Sequence, residues 1–410
     1  MHVAGYRCTL CNTEFSYTED MLTCPHCGET GILDILFDYT AIKKELTRET
    51  LLKDRTNSMW RYLPLLPVEG RHWERFLRVG WTPLYRSNRL ERELGLKALY
   101  IKDDGLNPTA SLKDRASAVA VARAKELGYE TVACSSTGNA ASSLAGGAAR
   151  MGLKSVIFVP SRAPKGKVAQ LLIFGANVVS VQGDYRDTFE LSRAAIDKWG
   201  FYNRNAGINP IMTEGKKTVS LEIAEQLLFL PTDWVAVSVG DGCTIGGVYN
   251  GFRDLYELGV IDRIPKILGV QSSGCCPFVN AAKSGEPLAP TPENTLADSI
   301  AVGVPRNPEK ALRAVRESGG AWTAVDDAEI LEAMRLLGRT EGVFGEPAGV
   351  TATAGVKRAV ADGIIGSDET VTVICTGSGL KDVANAMQAT GEPFSCPPEL
   401  NALEKSGRIQ

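Results

Sequence analysis

The chain has 410 residues, 44% hydrophobic and 23% charged, with a formal net charge of −3, enough for two domains and a small appendage. Acids and bases are interspersed, so neither the basic surplus nor the basic face of a nucleic-acid binder is evident. No apolar run approaches the roughly 18–20 residues that span a bilayer, and the start, MHVAGYRCTLC, lacks a secretory pattern, so a cytoplasmic protein with no membrane partner is expected.

Residues 1–36 read as a separate module. Cys8-x2-Cys11 and Cys24-x2-Cys27 are two knuckles with twelve residues between them. Four thiolates at that spacing make a tetrahedral Zn2+ site with no open position, so the expected metal is structural and the module a zinc ribbon. The other six cysteines are scattered and read as small buried hydrophobes. Histidine occurs three times, as His2, His26 and His72, and never after residue 72. A Ser-His-Asp hydrolase is thereby disfavoured, and proton transfer falls to a lysine, a hydroxyl or a cofactor.

A charged, helix-like segment over 39–57 leads into irregular sequence rich in Pro, Trp and Arg, with a helical stretch around His72. Beyond residue 97, apolar runs alternate with amphipathic stretches. Strands are expected at 98–102, 131–135, 155–160, 177–182, 234–239, 266–271 and 370–376, and helices at 111–127, 139–151, 164–174, 185–199, 216–229 and 326–341. Such alternation predicts an α/β fold of open, mostly parallel sheets flanked by helices, with ligands beyond the carboxyl ends of the strands.

Three of those strands end in small, hydroxyl-rich or glycine-rich loops. TVACSS runs into Thr137-Gly138-Asn139, WVAVSV into the glycine-rich loop 240–247, and TVTVIC into Thr376-Gly377-Ser378-Gly379. Backbone amides of loop 240–247, at a helix start and aided by Thr244, suit a phosphate, although a glycine cluster can equally be a tight turn. The strand ALYIK leads to Asn107-Pro108-Thr109-Ala110-Ser111-Leu112-Lys113-Asp114-Arg115. A lysine just inside a helix N-terminus, among small and apolar residues, has its pKa depressed by desolvation and the helix dipole, as a Schiff-base lysine requires.

The order of motifs resembles threonine synthase and its relatives in the β-family (fold type II) of pyridoxal phosphate enzymes. The resemblance rests on NPTASLKDR with Thr82-Pro83-Leu84, Ser136-Thr137-Gly138-Asn139, Asn209-Pro210 with Glu214-Gly215-Lys216-Lys217-Thr218, loop 240–247, Glu346-Pro347-Ala348, and Thr376-Gly377-Ser378-Gly379-Leu380-Lys381-Asp382. It covers nearly the whole chain, and the N-terminal ribbon also occurs in some threonine synthases. It implies a tryptophan synthase β-like arrangement of two open sheets: a large cofactor-binding domain from 37–115 and 205–410, and a small α/β domain from 116–204. It further implies that Lys113 carries pyridoxal 5'-phosphate and acts as catalytic base. Asn139 would meet the cofactor's phenolic oxygen, Gly240, Asp241, Gly242, Cys243 and Thr244 its phosphate, and Thr376 its ring nitrogen. Ser136, Thr137 and Gly138 would meet the substrate carboxylate. Fold relatives are often dimers, which leaves a homodimer open.

The implied activity is conversion of O-phosphohomoserine and water to threonine and phosphate. Two alternatives stand beside it: a serine/threonine dehydratase or β-replacement enzyme on the same scaffold, and a non-catalytic zinc-ribbon binding protein. The chain departs from the family pattern at Ala110, Leu112, Ala140, Ile211-Met212 and Ser378. Ala140 and Met212 stand where a polar and a cationic group are common, each worth about 1.5–3 kcal/mol against a phosphate. Arg162, Lys165, Lys167, Arg204 and Lys216 are the candidates to replace them.

Overall fold

The computed structural model describes residues 1–408 except 20, 71, 137, 162, 164 and 184, and at 72, 73, 165, 185 and 186 the backbone alone. The first strands are β1 (Val3–Cys8), β2 (Glu14–Ser16), β3 (Thr23–Cys24) and β4 (Gly28–Phe37), an antiparallel sheet in the order β2-β1-β4-β3. Gly31 lets β4 pass the second cysteine knuckle, since a Cβ there would lie 2.5 Å from Cys24 Cβ and 2.7 Å from Cys27 Cβ. Leu33, Ile35 and Phe37 of β4 enter the same hydrophobic core as the helices behind the main sheet. The ribbon is therefore seated on the body.

The charged segment expected as one helix over 39–57 is two short ones, Tyr39–Ile42 and Arg48–Lys53. Thr47 starts the second, its hydroxyl accepting the Thr50 amide, and such a cap competes with continued helix across 43–47. The stretch at His72 is a single 3-10 turn, His72–Arg75.

The main body opens with β5 (Leu84–Arg86) antiparallel to β6 (Ala98–Asp103). Then come β7 (Thr131–Ser135), β8 (Lys154–Pro160), β9 (Asn177–Val181) and β10 (Tyr202–Asn203), a parallel sheet ordered β10-β7-β8-β9. Finally β11 (Trp234–Ser238), β12 (Lys266–Ser272), β13 (Ala321–Val325) and β14 (Thr370–Cys375) join the first pair in a six-stranded sheet, β13-β12-β11-β14-β6-β5, parallel except for β5. Two open, mostly parallel sheets with helices are thus present, with strand ends within a residue or two of those expected. No helix among the described residues is long and apolar enough to cross a membrane.

One helix starts five residues early. Ile211–Gln226 begins directly after Asn209-Pro210, where Asn209 Oδ1 accepts the Ile211 amide at 3.0 Å. It is buried over 211–225, with Glu214, Lys217 and Glu222 inside, so the polar face that marks a surface helix is missing.

Candidate active site

The carboxyl ends of β6, β7, β11 and β14 converge on one place. After β6 the chain turns through Asp104–Leu106 and loop 107–112 into the helix Lys113–Glu126. That loop is stitched to the segment after β14: the Leu112 amide donates to Thr376 O at 2.8 Å and the Ser378 amide to Ala110 O at 3.0 Å. Lys113 is so brought beside Thr376. Ala110 takes a left-handed conformation, φ 66°, to make the turn.

The residues around Lys113 hold it rather than react. The Asp114 carboxylate accepts from the Thr109 amide at 2.8 Å and its hydroxyl at 2.7 Å. Arg115, wholly buried, donates to Asp104 at 2.7 and 2.8 Å and to Glu222 at 2.5 and 2.8 Å. Lys102 also donates to Glu222, at 2.7 Å, and Thr82 to Asp104, at 2.7 Å. No motif in the sequence gives a part to Lys102, Asp104 or Glu222; their one signal is a charge inside an apolar strand, directly after it, or inside a buried helix.

A cavity of ≈ 1170 Å³ lies between the two sheets. Lys113, Ser136, Gly138, Asn139, Gly240, Asp241, Gly242, Cys243, Thr244 and Thr376 all line it. Thr137 and Arg162 lie outside the described residues, as does the Lys165 side chain. Lys167 is paired with Asp298, whereas Arg204 and Lys216 line the cavity.

Burial, then the positive charges of Lys216 and Arg204, lower the Lys113 amine to about 8, against a smaller pull from Glu346. Desolvation is legible in the sequence; the two cations are not. Glu346 is 3% exposed, and burial together with Asp298 pushes its carboxyl up to about 7. Asn139 Nδ2 donates to Glu346 Oε1 at 2.6 Å. The Glu-Pro-Ala triplet stands out in the sequence, but nothing there attaches chemistry to it.

The loop after β11 has the form of an anion cradle. Gly242 sits at φ 92°, and a Cβ there would lie 2.5 Å from Asn307 O. The helix Cys243–Glu257 starts at this point, so its first-turn amides have no intrahelical acceptor and carry the positive end of the helix dipole. The Asp241 carboxylate is occupied, accepting from the Arg306 amide at 2.8 Å and Asn307 Nδ2 at 2.7 Å. Asp241 pins the loop, and only its backbone is left for an anion. A phosphate at this loop, an aldehyde at Lys113 and a ring nitrogen at Thr376 fit the residues present.

The cysteine cluster fits a metal equally well. The four Sγ atoms of Cys8, Cys11, Cys24 and Cys27 lie within 4.8 Å of one another, and Cys11 Sγ to Cys24 Sγ is 3.8 Å. Four sulfurs at roughly 2.3 Å from a Zn2+ would be spaced by about 3.8 Å. The Leu10 amide donates to Cys8 Sγ at 3.4 Å, as knuckle amides do to a thiolate.

Comparison with known proteins agrees with this chemistry. The profile of the family described as pyridoxal-phosphate dependent enzyme matches residues 76–377. Threonine synthase of Methanosarcina acetivorans is 41% identical over 403 residues, 98% of each chain. Threonine synthase of Methanocaldococcus jannaschii is 42% identical over 403 residues, 97% of this chain and 98% of its own. Among solved structures, the processed form of threonine deaminase isoform 2 from Solanum lycopersicum superposes with a TM-score of 0.67 at 21% identity. That match covers 81% of this chain and 92% of the other, and is a likeness of fold. The chain belongs to the threonine synthase family of pyridoxal-phosphate dependent enzymes.

Proposed function

We propose that the protein converts O-phosphohomoserine and water to threonine and phosphate, using pyridoxal 5'-phosphate held through Lys113. The observation that carries this reading is a lysine amine, lowered to about 8, in one cavity with loop 240–244 and Thr376. When bound, the cofactor supplies an electron sink for carbanions of the substrate. The amides of 240–244 and the Thr244 hydroxyl hold its phosphate. Asn139 approaches its phenolic oxygen, with Glu346 fixing the amide's direction. Thr376 offers the ring nitrogen a hydroxyl where a carboxylate would protonate it, which favours elimination and replacement. Ser136, Thr137 and Gly138 orient the substrate carboxylate.

Lys113 then moves the protons. It takes one from Cα of the substrate and a second from Cβ, and phosphate leaves Cγ; a proton is then delivered to Cγ, the hydroxyl of water adds at Cβ while its proton goes to the departed phosphate, and a proton returned to Cα completes threonine. We assign residues 37–115 and 205–410 to a cofactor-binding domain and 116–204 to a smaller one. Cys8, Cys11, Cys24 and Cys27 hold a structural zinc. A chain with ten cysteines suits a reducing cytoplasm.

The test is product identity. Purified protein given O-phosphohomoserine should release threonine and phosphate in equal amounts, and its visible absorbance should be bleached by borohydride and missing in Lys113→Ala. A ketoacid from serine or threonine, with no phosphate release from O-phosphohomoserine, would replace this reading by a dehydratase.

A further inference from the structure

We infer that Lys381 is a positioning residue for the cofactor: its amine braces the helix that starts at Asn139 against the segment that carries Thr376, and so sets the gap across which the cofactor ring is held. The inference rests on the places proposed for Asn139 and Thr376, and it gives a task to the lysine near the end of the Thr376–Asp382 motif.

Asn139 and Thr376 stand on different sheets. Thr376 follows β14 of the six-stranded sheet, whereas Asn139 opens the helix Asn139–Met151, which follows β7 of the small one. The segment after β14 is fixed to its own side. Besides the bonds of Thr376 and Ser378 to the lysine loop, the Glu346 amide donates to Gly377 O at 3.0 Å and the Gly379 amide to Phe344 O at 2.8 Å. Gly379–Lys381 is then a 3-10 turn, in which the Lys381 amide donates to Ser378 O at 3.1 Å. The Lys381 backbone is thus set relative to Thr376, and its side chain makes the crossing. Nζ donates to Ser142 Oγ at 2.8 Å and to Gln170 Oε1 at 3.1 Å. Ser142 is 3% exposed and sits one turn into the helix, where its hydroxyl donates to Asn139 O at 3.3 Å. Gln170 lies on the helix Lys165–Ile173, packed against the same helix.

None of Lys381, Ser142 and Gln170 lines the cavity, so Lys381 acts on the site through Asn139. Asn139 is held twice from the side of the large sheet, its amide by Glu346 and its helix by Lys381. One planar ring has to reach Thr376 and Asn139 together. Hydrogen bonds weaken steeply off their distance and angle, so a change of about 0.5 Å in the gap loses one of the two. A largely buried ammonium bonded to neutral oxygens is costly to desolvate, and an apolar chain would fill the same space at less cost. Its bonds are directional and, with an ionised donor, stronger than neutral ones, which suits a spacer. Lys381 also acts by charge, since Glu346 and Asp114 hold its amine up against burial and it pulls Glu346 down in turn.

The experiment uses the cofactor-loaded enzyme and reads the position of the visible band, its pH dependence and the dissociation constant of pyridoxal phosphate. Lys381→Met keeps most of the chain and removes both bonds; it should move the band and weaken the cofactor by about 10-fold, the worth of one charge-assisted hydrogen bond. Ser142→Ala, which deletes one acceptor, should move the band the same way by less, and should add nothing once residue 381 is methionine. Lys381→Arg should recover part of the affinity. A wild-type band and affinity in Lys381→Met, at whatever melting temperature, would confine Lys381 to stability and overturn the inference, as would additive effects of Lys381→Met and Ser142→Ala. A displaced pH dependence in Lys381→Met beside a wild-type Ser142→Ala would mean that the lysine acts by charge on Glu346, and would overturn the brace as well. If Lys381→Met and Ser142→Ala behave as expected but Asn139→Ala leaves the band in place, the brace stands and the contact proposed for Asn139 fails.

Discussion

A lysine that must bond an aldehyde has to be neutral part of the time, and Lys113 achieves this through burial and two neighbouring cations. Its lowered value means the uncharged amine dominates above about pH 8 rather than near 10.4. Protein stripped of cofactor should therefore take up pyridoxal phosphate at a rate that climbs through pH 8 and levels off above it, measured by the growth of visible absorbance. A climb centred near pH 10 would mean an amine in contact with water. Ala110 makes a second test at this scale. An alanine in the left-handed region costs about 1 kcal/mol or more relative to glycine, and Ala110 sits at φ 66° in the turn that delivers Lys113. Ala110→Gly should raise the midpoint of thermal unfolding by the equivalent of about 1 kcal/mol, with the visible spectrum unchanged. A lowered midpoint would show that the methyl packs usefully. The reacting lysine could be read from its motif, but the buried ion pairs of Arg115 with Asp104 and Glu222 could not, because a contact between elements as far apart in the chain as Arg115 and Glu222 leaves no spacing signal.

The strands that build the cavity were legible because each is a short apolar run ending in small or hydroxyl residues: β7, β11 and β14 all show it. Those missed have physical reasons. β5 is three residues with Tyr85 and Arg86 exposed, β10 is two residues, and β13 is a sheet edge with a half-buried tryptophan. The helix Ile211–Gln226 hid its start because its charges are paired inside the protein. An element the sequence could not link to the site is β4 of the ribbon. Lys310, buried in the helix Pro308–Glu317, donates to Leu33 O of β4 at 2.8 Å and to Thr213 Oγ1 at 3.1 Å, and lies 3.5 Å from Asp34. Thr213 Oγ1 in turn is 3.5 Å from Cys243 Sγ, in the phosphate loop. Lys310→Met removes one partner of a buried ion pair, a loss of about 3–5 kcal/mol in comparable cases, tempered here because Arg313 still faces Asp34. Thermal unfolding should fall by several degrees and cofactor affinity should weaken with it. Normal affinity at the lower melting point would confine Lys310 to stability alone.

At the scale of the whole molecule, three sheets border one cavity, and the ribbon is joined to the body through a shared core. The ribbon's Leu33, Ile35 and Phe37 share a continuous core with Met212, Ile245 and Phe252, which back the cofactor loop and the helix behind it. The small sheet is tied across by Lys381, whose Nζ donates to Ser142 Oγ at 2.8 Å and Gln170 Oε1 at 3.1 Å. A module that cannot unfold without exposing its neighbours' core should not melt by itself. Stripping zinc with a chelator removes the crosslink that holds four thiolates together, and small zinc modules depend on that crosslink for folding. Chelated enzyme should therefore unfold at a lower temperature in a single transition, with cofactor release and loss of far-ultraviolet signal coinciding. The sequence alone, which sets the ribbon apart at residues 1–36, would allow a different outcome: an early transition for the ribbon, then cofactor release at the original temperature. Two separate transitions of that kind would mean that the contacts of β4 with Lys310 and its share in the common core contribute little, and that the ribbon is an appendage in energy as well as in chain order.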